Sequence, residues 1–296
     1  MTTKSISTQR GLFSSYAFRR KASTVTSYIV LTLLGLMFMF PWFYTMTGSL
    51  KAPHEIYLFP PPLFPELAQF DNYPEVFRRV LFGRWFINSV TVVTLATLGA
   101  VMSSTLVAYS FARFRWRGRD ALFAITLATM MLPSEVTLIP QYLIFRNLRW
   151  LNSIRPLIVP AWFGGGAFNI FLMRQFLMSL PREFDEAARI DGASALRILV
   201  QVLLPLMKPV ISTLAVLGFI GAWDDFMGPL IYLSTAENFT IALGLRYFHV
   251  AEGQPGIPQT HLLMAACVMS TTPVVILFFF AQRYFVQGIV MSGIKG

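Results

Sequence analysis

The sequence predicts an all-α membrane protein with six transmembrane helices and a helix-turn-helix hairpin on the cytoplasmic side between the fourth and fifth. Three observations carry that expectation. Hydrophobic residues make up 55% of the 296, charged residues 13%, and mean hydropathy is +0.59, outside the balance of a soluble domain. Six apolar stretches are long enough to cross a hydrocarbon core of about 30 Å, which takes about 20 helical residues. Lys and Arg crowd into alternate connections, as the orientation rule for membrane helices requires.

The first stretch, Tyr28 to Ser49, follows a polar and basic cytoplasmic segment over residues 1–27. It lies too far into the chain, and is too long, for a cleaved signal peptide, so it is expected to remain as a helix. Residues 50–85 carry Pro53, Pro60, Pro61, Pro62 and Pro65, which favour extended backbone until about Asn72. The second and third spans are Phe86 to Phe111 and Ala121 to Ile144. The fourth, Pro156 to Phe176, contains Gly164-Gly165-Gly166, which marks either a flexible stretch or close helix packing. The fifth is Pro209 to Leu233 and the sixth Leu262 to Phe285. Residues 234–261 form a second polar outer loop, and 286–296 a cytoplasmic tail. Residues 28–285 thus read as one membrane domain.

Basic residues set the orientation. Sixteen lie on the side of the N-terminal segment, the second-to-third connection, the loop after span four and the tail; eight lie on the other. The richer side, with both termini, is the cytoplasm. Arg113, Arg115, Arg117 and Arg119 form the densest cluster and read as a topology anchor touching anionic lipid headgroups. The formal net charge of +10 follows from this bias and does not indicate nucleic acid.

Residues 181–209, PREFDEAARIDGASALRILVQVLLPLMKP, interrupt the apolar runs with charge and small side chains. Ser179 is a candidate N-cap with Pro181 in the first turn, and Glu183, Asp185 and Glu186 suit the positive end of a helix dipole. Gly192 can close that helix in the left-handed conformation, and Ser194 can cap a second one running to Pro205. Leu196, Leu199, Val200 and Leu203 then form one apolar stripe. Ala187 and Ala188 permit close approach of a partner, and Glu186 offers it a carboxylate. The hairpin is either a docking surface or an interfacial element with no partner.

Trp223-Asp224-Asp225-Phe226-Met227-Gly228-Pro229 places two carboxylates in the fifth span. An ionised side chain at the bilayer centre costs about 2.5–3.5 kcal/mol on insertion scales, so Asp224 and Asp225 are expected to face protein, water or a partner cation. Gly228 and Pro229 are expected to break the helix and free carbonyls beside a cavity. Trp223, Asp224, Asp225 and Phe226 suit a polar, ring-bearing pathway and can either contact a polar solute or serve structure and gating.

The hairpin also carries a spaced pattern: Glu186-Ala187-Ala188, three residues, Gly192, nine residues, then Val202-Leu203-Leu204-Pro205. This resembles the EAA loop of the permease subunits of ABC importers, with Val202 in place of isoleucine. Pro41, Gly48-Ser49-Leu50-Lys51, Asn88-Ser89, Ala108 to Arg113, Met131-Leu132-Pro133 and Gln282 to Gly288 with Gly293 to Gly296 extend the likeness over nearly the whole chain. They resemble carbohydrate-uptake permeases of the maltose-transporter inner-membrane type. The resemblance implies a coupling helix built on Glu186, Ala187, Ala188, Asp191, Gly192 and Pro205, seated in a cleft of a separate ATPase. It also implies a second permease subunit, with a heterodimer favoured, and an extracytoplasmic solute-binding protein delivering a mono- or oligosaccharide at a prokaryotic inner membrane. Such relatives often have Trp-Asn-Glu/Asp-Phe where this chain has Trp223-Asp224-Asp225-Phe226. Glycerol phosphates are among the solutes such relatives carry.

No Gly precedes any of the five Lys residues, so a phosphate-binding loop of the GK type is absent. HExxH and GxSxG patterns are absent too, and Cys267 is the sole cysteine, so thiols can form neither an intramolecular disulfide nor a metal cluster. The chain is not expected to be an enzyme, to ligate a metal or to bind a cofactor; ATP and Mg²⁺ belong to the partner ATPase. Two rivals are an ion-coupled secondary transporter or channel using Asp224 or Asp225, and a non-conducting membrane scaffold.

Overall fold

The structure is a computed structural model that describes residues 6–250 and 259–293. Among the described residues every regular element is helical, as expected where backbone polar groups must be satisfied within each segment.

Helix α1 (Ile6–Gly48) runs through much of the segment expected to precede the first span, though only Ser23–Gly48 is apolar enough to cross a membrane. It packs against the last helix and turns an apolar surface outward, with Leu31, Met37 and Phe38 exposed. A short 3-10 turn, Pro53–Tyr57, and irregular backbone then lead to α2 (Asn72–Arg79), close to the expectation from the proline run. Helix α3 (Phe82–Arg113) is the central rod, packed against the helices that follow.

The third apolar stretch is broken. Helix α4 (Arg119–Ala128) and a 3-10 turn meet α5 (Ser134–Asn147) at 103°, because Pro133 pushes Leu132 out of helical backbone (ψ 120°). A short α6 (Arg155–Ile158) and a 3-10 turn lead through three glycines of positive φ into α7 (Ala167–Ser179). A Cβ on Gly165 would lie 2.2 Å from the Ala100 carbonyl oxygen, so the glycine run serves close packing of this segment on α3.

Helix α8 (Glu183–Ile190) and a second arm form the hairpin. That arm comprises α9 (Ala195–Arg197), a π-helical stretch (Ile198–Leu203) and α10 (Leu204–Leu206). It meets α11 (Lys208–Trp223) at 79°. The fifth span was expected to continue to Leu233, but α11 stops at Trp223 and a separate α12 (Met227–Tyr232) follows. Sixteen residues give about 24 Å of helix, short of the hydrocarbon core. Helix α13 (Ile241–Val250) and α14 (Thr260–Gly293) complete the chain, and α14 extends through most of the expected tail. Among the described residues four helices are long and apolar enough to cross a membrane, or up to six if each bent pair counts as one.

The described residues form three apolar cores. The first gathers Trp85, Val93, Trp223, Phe239 and Leu262 toward the loop end. The second gathers Tyr109, Met173, Leu177, Ile198, Leu203 and Met207 at the hairpin end, and a third, smaller one joins Phe111, Phe123 and Ile170. Asn152, in left-handed backbone (φ 56°), ties the loop end together. Its Oδ1 accepts from the Ser234 and Thr235 amides, at 3.1 and 3.0 Å, and its own carbonyl accepts from Asn238 Nδ2 at 2.7 Å.

Candidate functional site

The hairpin is closed by backbone geometry at its tip. Gly192 adopts φ 78°, its amide donates to the Arg189 carbonyl at 3.0 Å, and the Ala193 amide donates to the Ala188 carbonyl at 2.9 Å. This pair of bonds is the Schellman closure, which a left-handed glycine makes without steric cost. Ser194 Oγ accepts the Arg197 amide at 3.4 Å, so the second arm is capped where expected. The first arm begins differently. Ser179 belongs to the end of α7 and donates its hydroxyl to the Phe176 carbonyl at 2.7 Å, so it caps nothing downstream. Helix α8 starts after Arg182, with no side-chain cap.

Glu186, Ala187, Asp191, Gly192 and Pro205 are exposed, whereas Ala188 is half-buried against the hairpin-end core. The exposed tip also bears Ile190, 87% accessible, with Phe184 at 44% and Leu196 at 63%. Of these apolar knobs beside a carboxylate, Ile190 and Phe184 are residues that sequence reasoning passed over. The expected single stripe on the second arm is split: Leu199 and Leu203 are buried with Ile198, while Leu196 and Val200 face outward. The wider π-helical turns change which side chains share a face, and Pro205, lacking an N–H, marks their end.

The hairpin is held to α3 by polar contacts that sequence reasoning missed. Arg113 Nε lies 3.2 Å from Asp185 Oδ2, with side-chain exposures of 4% and 6%. Arg113 Nη2 donates to the Leu180 carbonyl at 3.1 Å, and the Tyr109 hydroxyl donates to the Ala195 carbonyl at 3.1 Å. Arg113 is therefore not free to reach lipid headgroups, whereas Arg115 and Arg117 are exposed. A carboxylate from α8 claims it because Arg113 ends α3 on the face that the hairpin covers.

The residues of the fifth stretch separate into different roles. Trp223 is buried in the loop-end core; its indole donates to the Ser270 carbonyl at 3.1 Å, stacks on Phe219 at 5.5 Å and meets Phe86 edge-on at 5.8 Å. An indole with its N–H satisfied packs well among other rings. The helix break falls at Asp224 to Phe226, ahead of Gly228 and Pro229, both of which lie within α12. Pro229 is accommodated in the first turn of α12, where its missing N–H has no helical partner to lose. Asp225 Oδ1 accepts the Gly228 amide at 3.1 Å. Asp224 ends α11 and is exposed, while Phe226 is half-buried beneath the Arg246 guanidinium at 5.3 Å.

At the opposite end, Lys51 is buried beside Glu55, its ammonium donating to the Pro62 carbonyl and lying 4.7 Å from the Tyr44 ring centroid. Burial pushes the Lys51 amine below its ordinary value, and Glu55 opposes that shift. His54, Glu55 and Glu66 bring ligand atoms within 4.8 Å of one another, with the Lys51 ammonium already supplying positive charge to Glu55.

Comparison with known proteins gives a consistent picture. The family described as binding-protein-dependent transport system inner membrane component matches residues 97–291. The arabinooligosaccharides transport system permease protein AraQ of Bacillus subtilis is 32% identical over 267 residues, 89% of this chain and 93% of that protein. The sn-glycerol-3-phosphate transport system permease protein UgpE of Yersinia pestis is 31% identical over 279 residues, 92% and 98% of the two chains. A subunit of a bacterial ABC transporter involved in the import of the acidic polysaccharide alginate superposes with a TM-score of 0.80 at 26% identity, over 90% of this chain and 97% of that one.

Proposed function

The chain belongs to the family of binding-protein-dependent transport system inner membrane components, and on that premise we propose that it forms half of the sugar pathway of an ATP-driven importer. The observation that carries the reading is the exposed hairpin from Glu186 to Pro205, closed by Gly192 and fastened to the end of α3. As a permease subunit it is not an enzyme, and ATP hydrolysis, with its Mg²⁺, takes place on a separate subunit.

In this reading the chain crosses six times, with both termini in the cytoplasm of a prokaryotic cell; α4 and α5 together make the third crossing, and α11 with α12 the fifth. The hairpin seats in a cleft of the ATPase, where Glu186 meets a basic residue and Ile190 enters an apolar pocket. Closure of the ATPase dimer pulls the hairpin and exchanges an inward-open for an outward-open cavity. Residues 50–85 and 234–261 receive the solute-loaded binding protein. A second, different permease supplies the other wall of the pathway, and Asp224 offers its carboxylate to solute hydroxyls from the break after α11. The named substrates of AraQ and UgpE mark the solute class as a sugar or a related polar solute.

The test is uptake by proteoliposomes holding this chain with its partner permease and ATPase, supplied with the binding protein. The expected result is sugar accumulation that needs both internal ATP and the binding protein. Uptake driven by a proton or Na⁺ gradient without ATP, and abolished by Asp224→Asn, would replace the reading with ion-coupled transport.

A further inference from the structure

We propose that the buried Arg113–Asp185 pair is a positioning device that makes α3 move with the hairpin, so that a pull on the hairpin reaches the opposite face through α3. The proposal rests on the hairpin being the ATPase-docking element.

The grip on the hairpin is concentrated in one turn of helix. Tyr109 and Arg113 stand four residues apart and so share a face of α3. From that face they hold three successive parts of the hairpin. Arg113 holds the entry at the Leu180 carbonyl and the first arm at Asp185, and Tyr109 holds the second arm at the Ala195 carbonyl. The apolar cluster around them, which includes Ala108, Ala112, Ile198 and Leu199, is non-directional and does not by itself fix register. A buried ion pair is a weak way to gain stability, since apolar replacements of similar volume often fold as well or better. Its particular contribution is register, because separating the charges in a dry core leaves both unpaired.

The other end of α3 is held as firmly. Trp85 Nε1 donates to the Ala236 carbonyl at 2.7 Å, Asn88 Nδ2 donates to the Glu237 and Phe239 carbonyls at 2.9 and 3.0 Å, and Ser89 Oγ accepts the Ile241 amide at 2.8 Å. Helix α3 has 32 residues and no internal proline, so it is a continuous rod about 48 Å long. It joins the hairpin to the outer 236–241 segment, and displacement at one end of a packed, unbroken rod is delivered at the other. Side-chain bonds at both ends thus make α3 a physical connection between docking face and outer face, one whose coupling can be measured.

The test uses the complete complex in lipid nanodiscs and proteoliposomes, in a Cys267→Ser background. Position 189, an exposed tip residue whose side chain has no assigned docking role, carries a cysteine that reports docking by cross-linking to the ATPase. The informative variant replaces both charges with apolar residues, Arg113→Met with Asp185→Leu, because such a pair keeps the core filled; Asp185→Asn and Arg113→Lys accompany it. The expected result is that the apolar pair assembles and cross-links at position 189 as the unsubstituted complex does. Solute imported per ATP hydrolysed then falls about tenfold, within the range of measured coupling between sites. Asp185→Asn behaves likewise, and Arg113→Lys, which keeps the cation, retains most of the coupling.

Normal import per ATP with the apolar pair at equal assembly would overturn the proposal. So would loss of the position 189 cross-link in proportion to lost import, since the pair would then only shape the hairpin. Absence of any ATPase cross-link in the complex bearing only the position 189 cysteine would instead remove the docking reading on which the proposal stands.

Discussion

Asp225 and Gly228 form a closed unit: Asp225 Oδ1 accepts the Gly228 amide at 3.1 Å, and a Cβ on Gly228 would lie 2.5 Å from Oδ2. The bond satisfies an amide at the start of α12 that has no helical partner. Two neighbouring carboxylates therefore hold different offices, with Asp225 restarting the helix and Asp224 left facing outward.

That division predicts opposite behaviour for the two aspartates. Asp225→Ala removes the cap and is expected to cost about 1 kcal/mol, lowering the Tm of the detergent-solubilised complex. Asp224→Asn is expected to leave Tm unchanged while altering the apparent affinity for solute in uptake assays. A stability loss confined to Asp224→Asn would reverse the assignment.

Two glycines with similar φ are expected to respond very differently to alanine. At Gly192 (φ 78°) nothing lies within 4 Å of an added Cβ, so Gly192→Ala carries only the left-handed backbone penalty, about 1–2 kcal/mol. At Gly165 (φ 67°) the Cβ would strike the Ala100 backbone. Gly165→Ala is therefore expected to block folding of the bundle, read as loss of membrane-inserted protein. Gly192→Ala is expected to insert normally and to lose part of its ATPase association.

The contrast shows what the sequence made legible. Apolar length marked where helices lie but not the breaks at Leu132 and after Trp223, and spacing placed Gly192 and the Ser194 cap. Ser179 misled because a hydroxyl at a helix end can donate backward as readily as it can cap forward. Arg113 was indistinguishable from Arg115 and Arg117, since burial depends on what α8 brings to it. Asn88 and Ser89 stood out as a polar pair, but their partners lie about 150 positions away, beyond any local pattern. Asn152 gave no signal: its place follows from a turn that only tertiary packing selects.

The exposed tip of the hairpin predicts a mixed docking contact. Ile190→Asp is expected to weaken ATPase association more than Glu186→Ala, because an apolar knob loses its burial and gains a desolvation penalty. Glu186→Ala removes a single charged contact, worth about 1.5–3 kcal/mol if hydrogen-bonded. Pull-down of the ATPase as a function of its concentration ranks the two. Retention of full association by Ile190→Asp would mean that the partner does not cover the tip.

Lys51 and Glu55 offer a test at the opposite face. Lys51→Met removes the cation beside a buried carboxylate and leaves the Pro62 carbonyl without its donor. The expected cost is about 2 kcal/mol, the penalty for leaving a buried polar group unsatisfied. Limited proteolysis between residues 50 and 71 should reveal it as faster cleavage. Adding Glu55→Gln to Lys51→Met should recover part of the loss, because no unpaired charge then remains buried. The unsubstituted protein carries a pH signature as well. Burial lowers the Lys51 amine from 10.5, so between its lowered value and 10.5 the unfolded segment binds more protons than the folded one. Stability there rises with pH and is lost as pH falls through the folded value. Lys51→Met should abolish that slope; a slope that persists in Lys51→Met would assign the titration to another group.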